Sequence, residues 1–223
     1  AVALCALTVG LPDRAAAGDL QIEAGVTTEY PGDSSYDALS ENNVNPTGNI
    51  AVAYGLPVQN LRVYGEFNGT GADRSRFNGD YDFSWQRGMY LAGVDWGPTI
   101  GGFFRPFFRV TAGYARQNLQ ITPSEGESFG KTAHDFATKN SLGVELFLPM
   151  GDGDDSSNLS ISENFSLGLS AQGGYLWHSK ADYSGMTSGQ NHDDDWQRSG
   201  VDVGTLDASG GFWNVGVFMR IGL

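Results

Sequence analysis

The chain has 223 residues, a length that suits one domain with a sizeable core. Charged residues make up 17% of it and hydrophobic residues 40%, beside 32 glycines, 13 Phe, 9 Tyr, 5 Trp and a net charge of −13. The aromatics exclude a disordered acidic chain, glycine scattered through the apolar segments excludes a helical bundle, and the lack of any Lys/Arg cluster excludes a nucleic-acid partner. A single cysteine excludes a disulfide framework or a thiolate metal site, and no apolar run reaches the roughly 18 residues of a membrane-spanning helix.

Residues 1–11 (AVALCALTVGL) form an apolar stretch of signal-peptide length, followed by Pro12 and the small-residue run Ala15-Ala16-Ala17. With no initiator Met and no basic segment ahead of it, 1–17 is expected to be the remnant of a signal peptide cut after Ala17. Cys5 leaves with it, and the mature domain is 18–223.

From Leu20 onward the period is two, which places alternate side chains on opposite faces of a strand. Leu20, Ile22, Ala24, Val26, Thr28 and Tyr30 share a face opposite Gln21, Glu23, Gly25, Thr27 and Glu29. The pattern recurs over 50–56 and 61–68, a hairpin about the turn 57–60, and then over 90–96. Phe83 and Trp85 fall on the other parity from Tyr90, Ala92, Val94 and Trp96, which predicts a bulge or a loop start near Arg87-Gly88. Further alternating runs cover 108–114, 142–148, 165–177 and 213–223. Eight strands result.

The connections alternate as well. Long polar segments follow the odd strands, at 31–48, 69–82, 117–135 and 179–210, whereas short turns follow the second and fourth, at 57–60 and 97–103. The sixth connection, 149–158, is intermediate. A soluble sandwich has no reason to link loop length to strand parity; a barrel with short periplasmic turns and long outer loops does.

The face opposite the apolar one carries Gly, Ala, Ser, Thr and Gln with isolated charges at Glu23, Arg62, Glu66, Arg109, Glu145 and Arg220. Such a face suits the crowded lumen of an eight-stranded barrel and is short of charge for a surface in water. The six charges are expected to form a closed network across that lumen. Tyr30, Tyr54, Trp96, Tyr114, Tyr175, Trp177 and Trp213 stand near strand ends on the apolar face, as interfacial girdles do. The fold expected is therefore all-β, an eight-stranded antiparallel up-and-down transmembrane β-barrel.

Two stretches resemble the small outer-membrane barrels of the OmpA/OmpX-like group: Arg105-Pro106-Phe107-Phe108 with Ala112-Gly113-Tyr114, and the terminal Asn214-x-Gly216-x-x-Met219-x-Ile221-Gly222-Leu223. The second is similar to the C-terminal strand signal read by the barrel-insertion machinery, except that it ends in Leu223 where an aromatic is usual. The resemblance implies the outer membrane of a Gram-negative bacterium and a monomer. Its implied partners are outer-membrane lipid and lipopolysaccharide, and the insertion machinery during biogenesis. It implies no cofactor and a structural or surface-interaction role residing in long acidic outer loops.

Two rival readings accompany it. His178-Ser179 invites comparison with outer-membrane lipid A deacylases, in which His, Ser and an acid act on an ester; adjacent strand residues diverge, and those enzymes carry His-x-Ser. A secreted lipocalin-like carrier would instead place its apolar residues inside. Asp193-Asp194-Asp195 with His192, and Asp152, Asp154 and Asp155, lack the spacing of a calcium loop and read as solvated acidic loops.

Overall fold

The computed structural model describes residues 18–32, 44–71, 73–77, 81–125, 128–148, 165–188, 200–201 and 203–222. In chain order the strands are β1 (Leu20–Pro31), β2 (Asn45–Gly55), β3 (Leu61–Thr70), β4 (Asp73–Phe77), β5 (Tyr81–Trp96), β6 (Phe104–Pro123), β7 (Phe129–Phe147) and β8 (Phe165–His178), then the short β9 (Ala181–Asp182), β10 (Met186–Ser188), β11 (Gly200–Val201) and β12 (Thr205–Leu206), and finally β13 (Gly210–Ile221). Strand β1 pairs with both β2 and β13, and β8 with both β13 and β7, so the antiparallel ladder closes into a barrel of β1, β2, β3, β5, β6, β7, β8 and β13. Closure leaves none of these eight strands with a free edge along the wall.

Local chemistry accounts for the short end. The β2–β3 turn closes with Leu56 N–H donating to Leu61 O (2.9 Å) and Leu61 N–H to Val58 O (3.1 Å). It turns through Asn60 at φ 63°, a left-handed conformation that asparagine tolerates better than most residues. Gly101 and Gly102, both left-handed, make the β5–β6 turn.

Over most of their length the eight strands put their large apolar residues outside. On β1, Gln21, Glu23, Thr27 and Glu29 are buried while Ile22, Val26 and Tyr30 are exposed, and on β2 buried Asn49, Ala51 and Ala53 alternate with exposed Ile50, Val52 and Tyr54. This inverts the arrangement of a soluble barrel and overturns the lipocalin-like reading.

Two expectations about boundaries are corrected. The predicted loop 117–135 is mostly strand: β6 runs to Pro123 and β7 begins at Phe129, paired from Ile121↔Phe129 downward. Likewise 69–82 contains β4, which pairs with the upper part of β5, and β5 itself starts at Tyr81. No bulge interrupts β5 near Arg87-Gly88, since its register with β6 is continuous from Tyr81↔Pro123 to Trp96↔Phe108. Phe83 and Trp85 point inward with unbroken parity. They join Leu119, Ile121, Ala133, Ala181, Tyr183, Met186 and Leu206 in an apolar cluster at the outer end of the barrel, beneath β9, β10 and β12. The face pattern itself reverses there: toward the outer ends of β5 and β6 the outward residues are Gln86, Ser84, Asn118 and Gln120, and the inward Trp85, Phe83, Leu119 and Ile121 are apolar.

Candidate functional site

The lumen is layered. Toward the short-turn end, Glu145 is fully buried and accepts from Arg62 (3.2 Å), Arg105 (3.3 Å), Arg220 (3.5 Å) and the Gln21 amide (2.9 Å). Asp95 holds Arg105 at 2.5 Å and Arg109 at 3.2 Å, so Arg105 bridges two carboxylates. Glu23 accepts from Ser170 Oγ (2.6 Å) and from the Tyr64 hydroxyl (3.3 Å), with Arg109 at 3.9 Å. The Arg109 guanidinium also lies over the Tyr64 ring, 3.5 Å from its centroid. Glu66 pairs with Lys139 at 3.0 Å. A polar chain then crosses the barrel: Arg109 and Ser141 donate to Gln172 Oε1, Gln172 donates to Asn214, and Asn214 donates to Thr27 and Asn49.

All six lumen charges named from the sequence therefore point inward, and five of them, Arg62, Glu145, Arg220, Arg109 and Glu23, lie within ion-pair distance of a partner from the same set. Glu66 takes its partner from Lys139 instead. Among the described residues the lumen holds the carboxylates Glu23, Glu29, Glu66, Asp95, Asp135 and Glu145 and the cations Arg62, Arg87, Arg105, Arg109, Lys139 and Arg220. The two sets are equal in number, so the lumen adds nothing to the net charge.

Above this network sits an apolar belt of Met89, Leu91, Ala115, Ala137, Leu176 and Phe212. A second buried polar group crosses next. Arg87 pairs with Glu29 and donates to His178 Nε2 (3.2 Å), and His178 Nδ1 lies 2.6 Å from Asp135 Oδ2. A guanidinium can only donate, so Nε2 accepts and Nδ1 carries the proton given to Asp135. Ser179 is turned elsewhere: its Oγ accepts from Phe136 N–H at 2.9 Å. The imidazole thus has Arg87 where a nucleophile would need to be, and the His-Ser pair does not assemble. The Trp85 cluster closes the lumen over this layer.

On the outer wall Tyr30, Tyr54, Trp96, Tyr114, Tyr175, Trp177 and Trp213 are all exposed. Tyr54 and Trp96 lie beside the short turns, whereas Tyr30, Tyr114, Tyr175, Trp177 and Trp213 lie toward the other end. Trp213 Nε1 donates to the Tyr30 hydroxyl at 2.9 Å. Between the two sets the large outward side chains are mainly Val, Ile, Leu and Phe, with Leu142 the most exposed at 68%. Amphipathic rings at both borders of an apolar band are the arrangement a bilayer selects.

No family model matches the sequence, and no curated protein matches it. Among solved structures the chain is similar to Ail, the attachment invasion locus protein of Yersinia pestis, at 16% identity and a TM-score of 0.53, with 92% of this chain and 99% of that one covered. Neisserial surface protein A (8% identity, 93% and 97% covered, TM-score 0.47) and the N-terminal β-barrel domain of Pseudomonas aeruginosa OprF (12% identity, 92% and 99% covered, TM-score 0.42) are more distant. At these identities the likeness is one of fold. The inside-out wall, with its two aromatic girdles, gives that fold its solvent.

The chain folds as an eight-stranded transmembrane β-barrel.

In this barrel the terminal residues that resemble the insertion signal lie on β13. Asn214 is buried in the lumen network, Gly216 faces inward beside Ser170 and Glu23, and Met219 and Ile221 stand on the outer wall in register with Ile22 and Leu20. Leu223, the 1–17 segment with Cys5, and the acidic runs Asp152, Asp154, Asp155 and His192 to Asp195 lie outside the described residues. Among the described residues no group of His, Cys, Asp or Glu is arranged to hold a metal ion.

The sequence reading missed Asp95, Arg105, Lys139, Glu29, Arg87 and Asp135 as lumen charges. Strand parity was the available signal for all of them. Extending the fifth and sixth strands toward the outer loop by their inward residues, Gln117, Leu119 and Ile121 on one and Ala133 and Asp135 on the other, would have placed the last of them.

Proposed function

We propose that this barrel is a non-conducting, non-enzymatic surface protein of the outer membrane, acting as a monomer through its acidic outer loops, with 179–210 the principal contact segment. The observation that carries this reading is the stopped lumen: a compensated charge network below, an apolar belt, a second buried ion group, and an apolar cluster across the outer end. An unpaired charge in such an interior is costly, so the matched carboxylates and guanidiniums hold the passage shut rather than line an open path. Outer loops on a rigid closed wall are where binding residues are free to vary. Biogenesis runs through the barrel-insertion machinery, read from Asn214, Gly216, Met219, Ile221 and Leu223.

Planar-bilayer recording tests the closed lumen. Reconstituted protein is expected to give no stable conductance step, and Trp85→Ala, which thins the outer cluster, is expected to leave that unchanged because the charge network below remains. A large, stable conductance in the wild type overturns the reading.

A further inference from the structure

The outer end of the barrel is capped by chain that leaves and rejoins the wall at one place. It leaves at the end of β8, runs through β9 and β10, and returns through β12, which pairs with β9, to β13. Ala181, Tyr183, Met186 and Leu206 of this cap are buried with Trp85, Leu119, Ile121 and Ala133 of the wall. Both crossings are held by His178 and Ser209. The His178 N–H donates to Ser209 Oγ (2.8 Å), the Ser209 hydroxyl donates to His178 O (3.4 Å), and the Ser209 N–H donates to Asp207 Oδ1 (2.9 Å). Gly32 N–H, just past β1, donates to Ser209 O (2.8 Å). The His178 backbone is thus a shared anchor for both ends of the cap.

The side chain of the same residue is the one buried imidazole among the described residues, and an imidazole changes charge near neutrality. Its ring ties β8 to β5 through Arg87, at 3.2 Å from Nε2, and to β7 through Asp135, at 2.6 Å from Nδ1; Glu29 of β1 pairs with the same Arg87. The other titratable groups facing this layer are Asp207, between β12 and β13, and Tyr183, just past β9, which faces Arg87 and Asp135. Lys139, one layer down, is taken up by Glu66. With the ring neutral, every contact pairs a donor with an acceptor. A proton added at Nε2 turns that acceptor into a donor aimed at a guanidinium, two like charges between side chains that are both buried. Asp135 is already engaged at Nδ1, and Glu29 holds the guanidinium rather than the ring. The contact does not survive the proton, and a ring that moves carries the anchor of the cap with it. The capped state therefore favours the neutral ring: its fastening is complete above the titration of His178 and is lost as the pH falls through it.

We propose that His178 is an acid-operated fastening of the outer cap, which when neutral holds β9, β10 and β12 on the wall through Ser209 and when protonated parts from Arg87 and lets them loosen. The lower lumen stays shut through the change, because the Glu145 network contains no imidazole. The device does not depend on what the outer loops contact.

The test is amide hydrogen exchange, read by mass spectrometry, on the refolded full barrel in neutral detergent at pH 8 and pH 5, with labelling times scaled to the chemical exchange rate at each pH. In wild type, peptides covering 178–188 and 203–210 are expected to exchange about tenfold faster at pH 5 after that scaling, the factor that corresponds to one unit of pKa difference between the fastened and loosened states. Peptides covering β2 and β3 should not change. His178→Gln, whose amide offers one acceptor and one donor and takes up no proton, should leave the cap equally protected at both pH values. Arg87→Gln, which removes the like charge that the proton meets, should shrink the acid response. Absence of an acid response in wild type, a response in either variant as large as in wild type, or loosening that extends to β2 and β3 overturns the proposal. Each preparation is first checked for the mobility difference between unboiled and boiled samples; should one variant fail to fold, the wild type and the other variant decide.

Discussion

Glu145 accepts from three guanidiniums and one amide, and it is the residue on which the lower lumen converges. Two of those guanidiniums, on Arg62 and Arg105, are themselves almost wholly buried, so neutralising the carboxylate strands charge where water cannot compensate. Glu145→Gln is expected to lower unfolding stability in lipid vesicles by about 3–5 kcal/mol, measured by tryptophan fluorescence in urea. Arg220→Met should cost much less, since its side chain is 14% exposed and reaches Glu145 only at 3.5 Å. Equal losses for the two would mean that the network is not centred on Glu145. Glu23, Arg62, Glu66, Arg109, Glu145 and Arg220 could be read from the sequence because each sits inside a run of clean alternation. Arg105 lies ahead of the run 108–114 and Lys139 ahead of 142–148, so neither was assigned a face, although both are fully engaged in the folded barrel.

At the scale of the strand, the informative feature is a reversal. Within the bilayer the wall is apolar outside and polar inside; beyond the Tyr90–Tyr114–Phe136 row, β5, β6 and β7 continue with polar residues outside and Trp85, Leu119, Ile121 and Ala133 inside. The backbone is continuous through the change. Only the solvent differs, lipid below and water above, and each face follows its own surroundings. This is why Phe83 and Trp85 imitate a bulge in the sequence, and why 117–135 imitates a loop: a face pattern that inverts looks like a pattern that stops. The boundary can be tested with two outward arginines. Leu142→Arg, midway between Phe136 and Leu148 on β7, is expected to destabilise the barrel in vesicles by about 2–4 kcal/mol. Gln120→Arg, above the row on β6, should stay within about 0.5 kcal/mol of wild type. Comparable costs at both positions would place the membrane border elsewhere.

For the whole molecule, closure of the ladder between β1 and β13 predicts a folded state that resists detergent. Unboiled protein is expected to migrate on a gel apart from the boiled form and to partition with membranes. Equal mobility together with a soluble fraction would refute the barrel. The number of strands and their apolar faces were legible from alternation, because lipid imposes one rule on every strand at once. The height of the wall above the bilayer was not, since no single rule covers both solvents.

The wiring of the lumen bears on how such an object can be made. Gln21 reaches Glu145 across 124 positions of sequence, Glu23 meets Ser170 across 147, and Thr27 meets Asn214 across 187. No hairpin on its own contains a complete set of these partners. A chain inserted strand by strand would carry bare guanidiniums and carboxylates toward hydrocarbon until the last strand zipped onto the first. Partial assemblies are thereby penalised, and the lumen acts as a latch that rewards only the finished ring: the ends of the chain, meeting as β1 and β13, complete the circuit of charge in the same step in which they complete the wall.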